Sequence, residues 1–393
     1  MGAVFERLVG QPAAREELLT AAERARSGAA GMTHSWLFTG PPGSGRSVAA
    51  VVFAAALQCT DPETIGCGNC PGCRTTLAGT HADVRRVVPE GLTIQVKEMR
   101  ELVHTANRRP STGRWLVVII EDADRLTEGA ANALLKVVEE PPAQTVFLLC
   151  APSTDPADVS VTIRSRCRHV GLVTPTVESV AEVLHRDDGL TPDDALAAAR
   201  MGGGHVGRAR RLSRDPQARA RREAALQLPT LVLRPAGGYG AAADLVRAAA
   251  QEATEVNAER DAAEMEELRT ALGAGGTGRG SGTAMRGTAG QIKDLERRQK
   301  VRHTRSQRDA LDRALMDVVG LYRDAVALRF GAQVPLLNPD VGERSARLAE
   351  RVPAAGLLRA IEAVLDCREA LAANVKPQIA VDAMVARCEQ ATR

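Results

Sequence analysis

The sequence predicts an α/β domain built on a parallel sheet with helices on both faces, followed by a region made of helices alone. Three observations predict it. Apolar runs such as "SWLFTG", "WLVVIIEDAD" and "TVFLLCA" alternate with helical patterns over the first part of the chain. Strands that are apolar throughout and separated by helices belong to sheets covered on both sides. The first of these runs feeds a glycine-rich loop and then the helical pattern "SVAAVVFAAALQC". From about Pro175 onward the β-branched runs vanish and alanine-rich, charge-laced helical patterns replace them.

At 393 residues the chain is long enough for two or three domains, each with its own core. With 44% hydrophobic and 25% charged residues its composition is that of a globular protein rather than a disordered or membrane one. Glu6 and Arg7 interrupt what would have to be the apolar core of a leader, and no run approaches the roughly 20 apolar residues of a membrane span. The expectation is a soluble, cytoplasmic protein. Five Phe, two Tyr and two Trp leave little with which to stack nucleic-acid bases, so any such contact should be mainly to phosphate. The net charge of +3 is too small to imply a nucleic-acid partner by itself.

The loop "GPPGSGRS", residues Gly40, Pro41, Pro42, Gly43, Ser44, Gly45, Arg46 and Ser47, matches a phosphate-cradling loop at every position except one, where Arg46 replaces lysine. Backbone N–H groups of such a loop and the following helix N-terminus cradle phosphates. A planar guanidinium is not equivalent to the compact ammonium that normally reaches the terminal phosphates. Ser47 retains the hydroxyl that can ligand magnesium. The partner site for magnesium and water is an acidic strand end, here Glu121 and Asp122, in the reverse of the usual Asp-Glu order. The extra methylene shifts the carboxylate that should face the metal, and these two also fit the pattern of ordinary charged residues at a strand end.

Cys59, Cys67, Cys70 and Cys73 fall within fifteen residues in "CTDPETIGCGNCPGC". Four thiols with two Cys-x-x-Cys steps suit tetrahedral, structural zinc, with no open position for catalysis. A redox pair fits three closely spaced thiols plus Cys59 less well. Cys150, Cys367 and Cys388 read as ordinary buried small residues. In "TIRSRC", Arg164 and Arg166 read as surface charges when taken alone.

In order along the chain, "FERLVGQ", "HSWLFTGPPGSGRS", the cysteine module, "VVIIEDADRL", "ANALLKVVEEPP" and "TIRSRC" resemble the bacterial clamp-loader family of the AAA+ class, its delta-prime type above all. The resemblance is specific over roughly the first 215 residues and only architectural beyond. It implies that residues 40–47 form a degenerate Walker-A loop, that Glu121 and Asp122 occupy Walker B, and that the four cysteines are the zinc module. It implies also that Arg166 acts in trans, stabilising the phosphoryl charge of a nucleotide on a neighbouring subunit. Two sensor positions depart from the pattern of a working motor: Ala151, Pro152 and Ser153 follow the last long strand, and Gly207, with Arg208 adjacent, falls where a second sensor arginine is expected.

The resemblance further implies three parts: residues 1–172 as the P-loop domain with zinc module 59–73, 173–226 as a helical lid, and 227–393 as a helical oligomerisation collar. The implied partners are a gamma/tau-type clamp-loader ATPase, delta-type subunits, and the sliding clamp and primed DNA through the complex. DNA polymerase III activity would be held by membership in the holoenzyme. Four departures in four motor motifs favour a subunit without turnover, with ATP and magnesium left open as cofactors; the alternative is an active gamma/tau-like ATPase. A zinc-dependent DNA-binding protein is disfavoured, because the cysteine module has only Arg74 as a nearby base, opposed by Asp61 and Glu63. Two features stand outside the resemblance. The glycine-rich stretch 273–290 is expected to be a flexible linker or surface insertion. Just after it, residues 291–308 carry seven Lys or Arg against two acids, either a solvated helix face or a contact to DNA phosphate.

Overall fold

The computed structural model describes residues 2–28, 32–272 and 281–393, with side chains left aside for 281–288. The chain divides into two compact units, residues 1–213 and 214–393.

The first unit is built on five strands: β1 (Ser35–Thr39), β2 (Val84–Val87), β3 (Leu116–Ile120), β4 (Thr145–Ala151) and β5 (Arg168–Gly171). They lie in the order β2-β3-β4-β1-β5, all neighbours parallel. β1, β3 and β4 are buried along their whole length, as their unbroken apolar sequences require. Because side chains alternate across a strand, the three feed two separate cores. Trp36, Phe38, Val117, Ile119, Val146 and Leu148 pack with helices Pro12–Ser27 and Arg46–Leu57 on one face. Leu37, Val118, Ile120, Phe147 and Leu149 pack with helices Val96–Ala106 and Glu128–Glu139 on the other. Each fully buried side chain of this size contributes about 1.5–3 kcal/mol. A one-residue slip of any central strand would exchange its contributions to both cores.

The outer strands were not evident in the sequence. β2 reads "VRRV" and β5 "RHVG", and both are partly exposed. At the edges of a sheet, charged residues are tolerated because one flank of the strand meets solvent.

Helix boundaries follow local chemistry. Thr127 caps Glu128–Glu139 by accepting from the Ala130 N–H, and Pro141-Pro142 follows its end. Thr176 and Thr191 cap Val177–Asp188 and Pro192–Gly202, which end at left-handed Gly189 and Gly203. With Val206–Arg214 these two helices form a small core of Val180, Leu184, Ala195, Ala198, Ala199 and Ala209.

The second unit is helical throughout its described residues, apart from loops and one short 3-10 turn at Pro339–Val341. Its core draws Ala225, Leu226 and Leu228 from helix Pro216–Leu231, which runs through Leu226 without a break. Most of the remaining core comes from Gly238–Ala271, Ser281–Arg329, Gly342–Arg351, Ala354–Ala372 and Pro377–Thr392, with Tyr322 fully buried. Of the glycine-rich stretch 273–290, residues 273–280 lie outside the described residues and the chain is helical from Ser281.

Candidate nucleotide and metal sites

The glycine-rich loop connects β1 to helix Arg46–Leu57, with Gly45 at the helix N-cap in the left-handed region. Its backbone requires glycine at two positions for steric reasons. A Cβ on Gly40 would stand 2.5 Å from the Leu172 carbonyl oxygen, and one on Gly43, at φ +90, would stand 2.7 Å from the His205 Cβ. The base of the loop is pinned by hydrogen bonds from Gly40 N–H to the Pro152 carbonyl and from the Gln11 amide to the Ser44 carbonyl, 3.1 Å each. Gln11 is 4% exposed and also exchanges bonds with the Val173 backbone, so one side chain ties the loop to the segment leaving the sheet. The motif "FERLVGQ" contains this residue, although its pattern alone gives it no role.

The loop opens on a cavity of about 740 Å³. Glu6, Arg7 and Gln11 line it from the N-terminal segment, Gly43 to Val48 from the loop and helix, and Arg186, His205, Gly207 and Arg210 from the small helical cluster. Arg186 and Arg210 are paired with Asp187 and Asp188. Gly207 thus reaches the cavity without a side chain, whereas Arg208 is not among the lining residues.

Ser47 Oγ donates to Glu121 Oε2 at 2.8 Å, so the structure brings the loop and the acidic strand end together as the sequence pattern expects. The other oxygen of Glu121 is held by Arg86 of β2 in an ion pair. Sequence reasoning missed Arg86, because only the pairing of Arg86 beside Ile119 in the β2–β3 register places it one step from the strand end. Asp122 adopts a left-handed backbone, φ 51, at the start of the turn Ala123–Arg125. Asp124 is raised above the ordinary carboxylate range by burial and by Asp122, against the pull of Arg125 and Arg46. One guanidinium nitrogen of Arg46 is buried without a hydrogen-bond partner.

Beyond β4, Ser153 is turned into its own loop: it donates to Asp158 at 2.6 Å and accepts from the Asp155 N–H at 2.9 Å. Arg166 stands exposed just after helix Val161–Arg164. Its guanidinium donates to the Thr162 carbonyl at 2.9 Å and pairs with Glu139 at 2.6 Å. Arg164 donates instead to the Thr154 carbonyl.

The sulfurs of Cys59, Cys67, Cys70 and Cys73 all lie within 4.8 Å of one another. Helix Pro71–Leu77 places them by using Cys70 as its N-cap, whose sulfur accepts from the Cys73 N–H. The Thr60 N–H also donates to Cys70 Sγ, and the Cys70 N–H to Cys67 Sγ. Burial raises the Cys70 thiol, but these N–H donors outweigh it and bring the group down to about 6; burial pushes Cys67 and Cys73 up. Four converging sulfurs with N–H donors that favour thiolate fit a tetrahedral metal such as zinc. Cys150, Cys367 and Cys388 are buried apart from this cluster, as expected of small core residues.

A doubly covered parallel sheet with a glycine loop at the turn after β1 and an acidic group at the end of β3, one strand away across β4, defines an α/β protein of the P-loop type. The family model for the DNA polymerase III delta subunit matches residues 14–176, and a second model, for the C-terminal region of the same family, matches 307–389. The two models together match more than half of the chain, which belongs to the DNA polymerase III delta subunit family that they describe. It is 37% identical over 179 residues to the DNA polymerase III subunit delta' of Escherichia coli K12, covering 45% of this chain and 53% of that one. It is 32% identical over 209 residues to the subunit gamma/tau of Mycobacterium tuberculosis H37Rv, covering 51% of this chain and 35% of that one. The match thus spans about half the length of the delta' relative. A solved DNA polymerase III gamma subunit-related protein of Thermotoga maritima is 17% identical with a TM-score of 0.45, covering 96% of this chain and 99% of that chain. No helix among the described residues is long and apolar enough to cross a membrane.

Proposed function

We propose that the chain is a delta-prime-type clamp-loader subunit that keeps the shape of a nucleotide loop without turning ATP over. In this reading it lends Arg166 to the ATP site of a gamma/tau-type neighbour while the assembly, with a delta-type subunit, loads a sliding clamp on primed DNA. Residues 173–226 act as the lid, residues 227–393 as the collar, and any polymerase activity belongs to another subunit of the holoenzyme.

The observation that carries the absence of turnover is the engagement of Glu121. Catalysis at such a site needs a carboxylate facing magnesium and an acid to orient water. Here one oxygen of Glu121 accepts from Ser47, the prospective magnesium ligand, and the other is paired with the fixed positive charge of Arg86. A guanidinium in that position repels a divalent cation. The loop itself keeps parts of a phosphate cradle: it stands at the N-terminus of helix Arg46–Leu57, and Arg46 holds a buried donor without a partner. Nucleotide held without hydrolysis is therefore the favoured state of the site. When bound, magnesium would supply charge neutralisation on the terminal phosphates, and Ser47 is the residue placed to hold it. Zinc would sit among Cys59, Cys67, Cys70 and Cys73 and stiffen the segment 59–73.

Arg166 supports the second half of the reading by its exposure and its chemistry. It is a permanently charged fork at the surface, and its present partners, a carbonyl and an exposed carboxylate, are of the kind that exchange readily. The test is turnover in a loader reconstituted with the gamma/tau-type ATPase. Arg166→Ala is expected to slow the neighbouring site by about 10³-fold or more, the scale of an arginine supplied in trans, while Arg164→Ala leaves it unchanged. Equal turnover with Arg166→Ala would overturn the assignment.

A further inference from the structure

We propose that the outer face of the helical hairpin in the second unit is a contact surface for the phosphate backbone of duplex DNA, carried by Lys293, Arg297 and Lys300. The hairpin pairs helix Gly238–Ala271 with helix Ser281–Arg329. Asn257 bonds Ser306, Asp261 bonds Arg302 and His303, and Glu264 bonds Arg302, a descending register that makes the two helices antiparallel. Ala249 and Ala253 are among the last buried apolar positions on one helix and Ala310 the first core member on the other. Beyond them the described seam is mostly polar. Most of this stretch lies outside the two regions matched by the family models, which end at residue 176 and resume at 307.

The basic residues of the second helix divide by direction. Arg302 is 5% exposed and, with His303, faces the acids of the first helix; Arg305 pairs with Asp309, and Arg308 bonds Asn374. Leu295 and Gln299 also face inward. Lys293, Arg297 and Lys300 are spaced i, i+4 and i+7 on the opposite side, all exposed, within about 10.5 Å along the axis. Arg298 is exposed beside them, and Asp294 and Glu296 flank the row without interrupting it. The exposed acids Glu259, Glu266 and Glu267 belong to the other helix.

A row of three cations in one line matches a polyanion more closely than a folded protein. Protein interfaces centre on an apolar patch, and the exposed apolar group on this helix near the row is Val301. Duplex DNA offers one phosphate per about 1.7 Å of axis counting both strands, a density at which each of the three long, flexible side chains of the row can reach a phosphate. The chain's scarcity of aromatics matters little here, because phosphate contact does not stack bases.

The test is duplex affinity of the full chain, read by fluorescence anisotropy with a labelled 30-base-pair DNA between 50 and 200 mM salt. The variant is Lys293→Ala, Arg297→Ala, Lys300→Ala, with its thermal midpoint measured to confirm that the helices are intact. Losing three phosphate contacts lowers the slope of log affinity against log salt by about 2.7, so that raising salt fourfold costs wild type about 40-fold more affinity than it costs the variant. Glu259→Ala, Glu266→Ala, Glu267→Ala is expected to bind as tightly as wild type or tighter. Equal slopes in wild type and the basic variant, absence of duplex binding by wild type at 50 mM salt, or loss of a protein partner with DNA binding unchanged would each overturn the proposal. None of these readouts involves ATP or Arg166, so the outcome is separable from that of the proposed arginine donation.

Discussion

Glu121 is the residue on which the chemistry turns, and its two partners have different legibility. Ser47 and Glu121 belong to recognisable patterns, and the sequence places them at the turn after β1 and the end of β3. Arg86 belongs to no pattern; it becomes relevant only through the β2–β3 register. Arg86→Ala should therefore change the site's response to metal. Wild type is expected to bind nucleotide about equally with magnesium or with chelator, and the variant to gain a magnesium preference of about tenfold, equivalent to about 1.4 kcal/mol, measurable by calorimetric titration. A preference as large in wild type would contradict the blocked-carboxylate account.

Asp83 gives a second residue-scale prediction. It is 3% exposed, and its carboxylate accepts from the N–H groups of Ser111, Thr112 and Gly113 and from both hydroxyls. Burial raises its pKa, but the donors outweigh burial and hold it well below the usual carboxylate range. A depressed folded-state value contributes stability that is fully present above the unfolded value of about 3.9 and is lost as pH falls below it toward the folded value. Asp83→Ala leaves these donors facing a gap and should cost about 3 kcal/mol at neutral pH, read from the urea midpoint. It should also flatten the stability loss below about pH 4. An unchanged midpoint would show that the clasp does not restrain the loop before β3.

At the scale of elements, the central strands were legible because a strand buried on both faces has no freedom to carry charge. The edge strands β2 and β5 were not, because short sequences with arginine or histidine at half their positions resemble loops until a neighbouring strand pairs with them. The cysteine module was legible from spacing alone, but its support was not: Cys70 serves at once as prospective ligand and as helix cap. Removing metal should therefore loosen helix Pro71–Leu77 while leaving β3 and β4 protected. One zinc per chain by metal analysis, and chelator-induced hydrogen exchange confined to about residues 59–77, are the expected results. Exchange spreading equally through the sheet would contradict them. In the second unit, Arg222 is 7% exposed and bonds Asp340 and Asn338. Asp340→Ala strands that buried charge beside a neutral amide and should destabilise the unit by about 3 kcal/mol, again read from denaturant midpoints.

At the scale of the whole molecule, the motif-bearing half of the chain was more legible than the helical half. Phosphate loops, acidic strand ends and cysteine clusters require particular residues at particular spacings, whereas helix packing accepts many apolar residues of similar volume. Accordingly the fold class and the juxtaposition of Ser47 with Glu121 could be anticipated, while the seam built on Asp261, Glu264 and Arg302 could not. That seam depends on which helices meet, and no local pattern states it. The assembly role proposed for the chain would draw on both halves: the helices for association with partners, and Arg166 of the first unit for a contribution at another subunit's nucleotide.

The most direct measurement of that central claim is ATP turnover by the purified chain alone in the presence of magnesium, with nucleotide binding followed in the same titration and Arg46→Lys run beside it. The account predicts nucleotide binding without turnover for wild type, and no turnover for Arg46→Lys either, because Arg86 still holds Glu121. Steady hydrolysis by wild type at rates typical of its class would contradict it and make "GPPGSGRS" a working loop with an unusual cation.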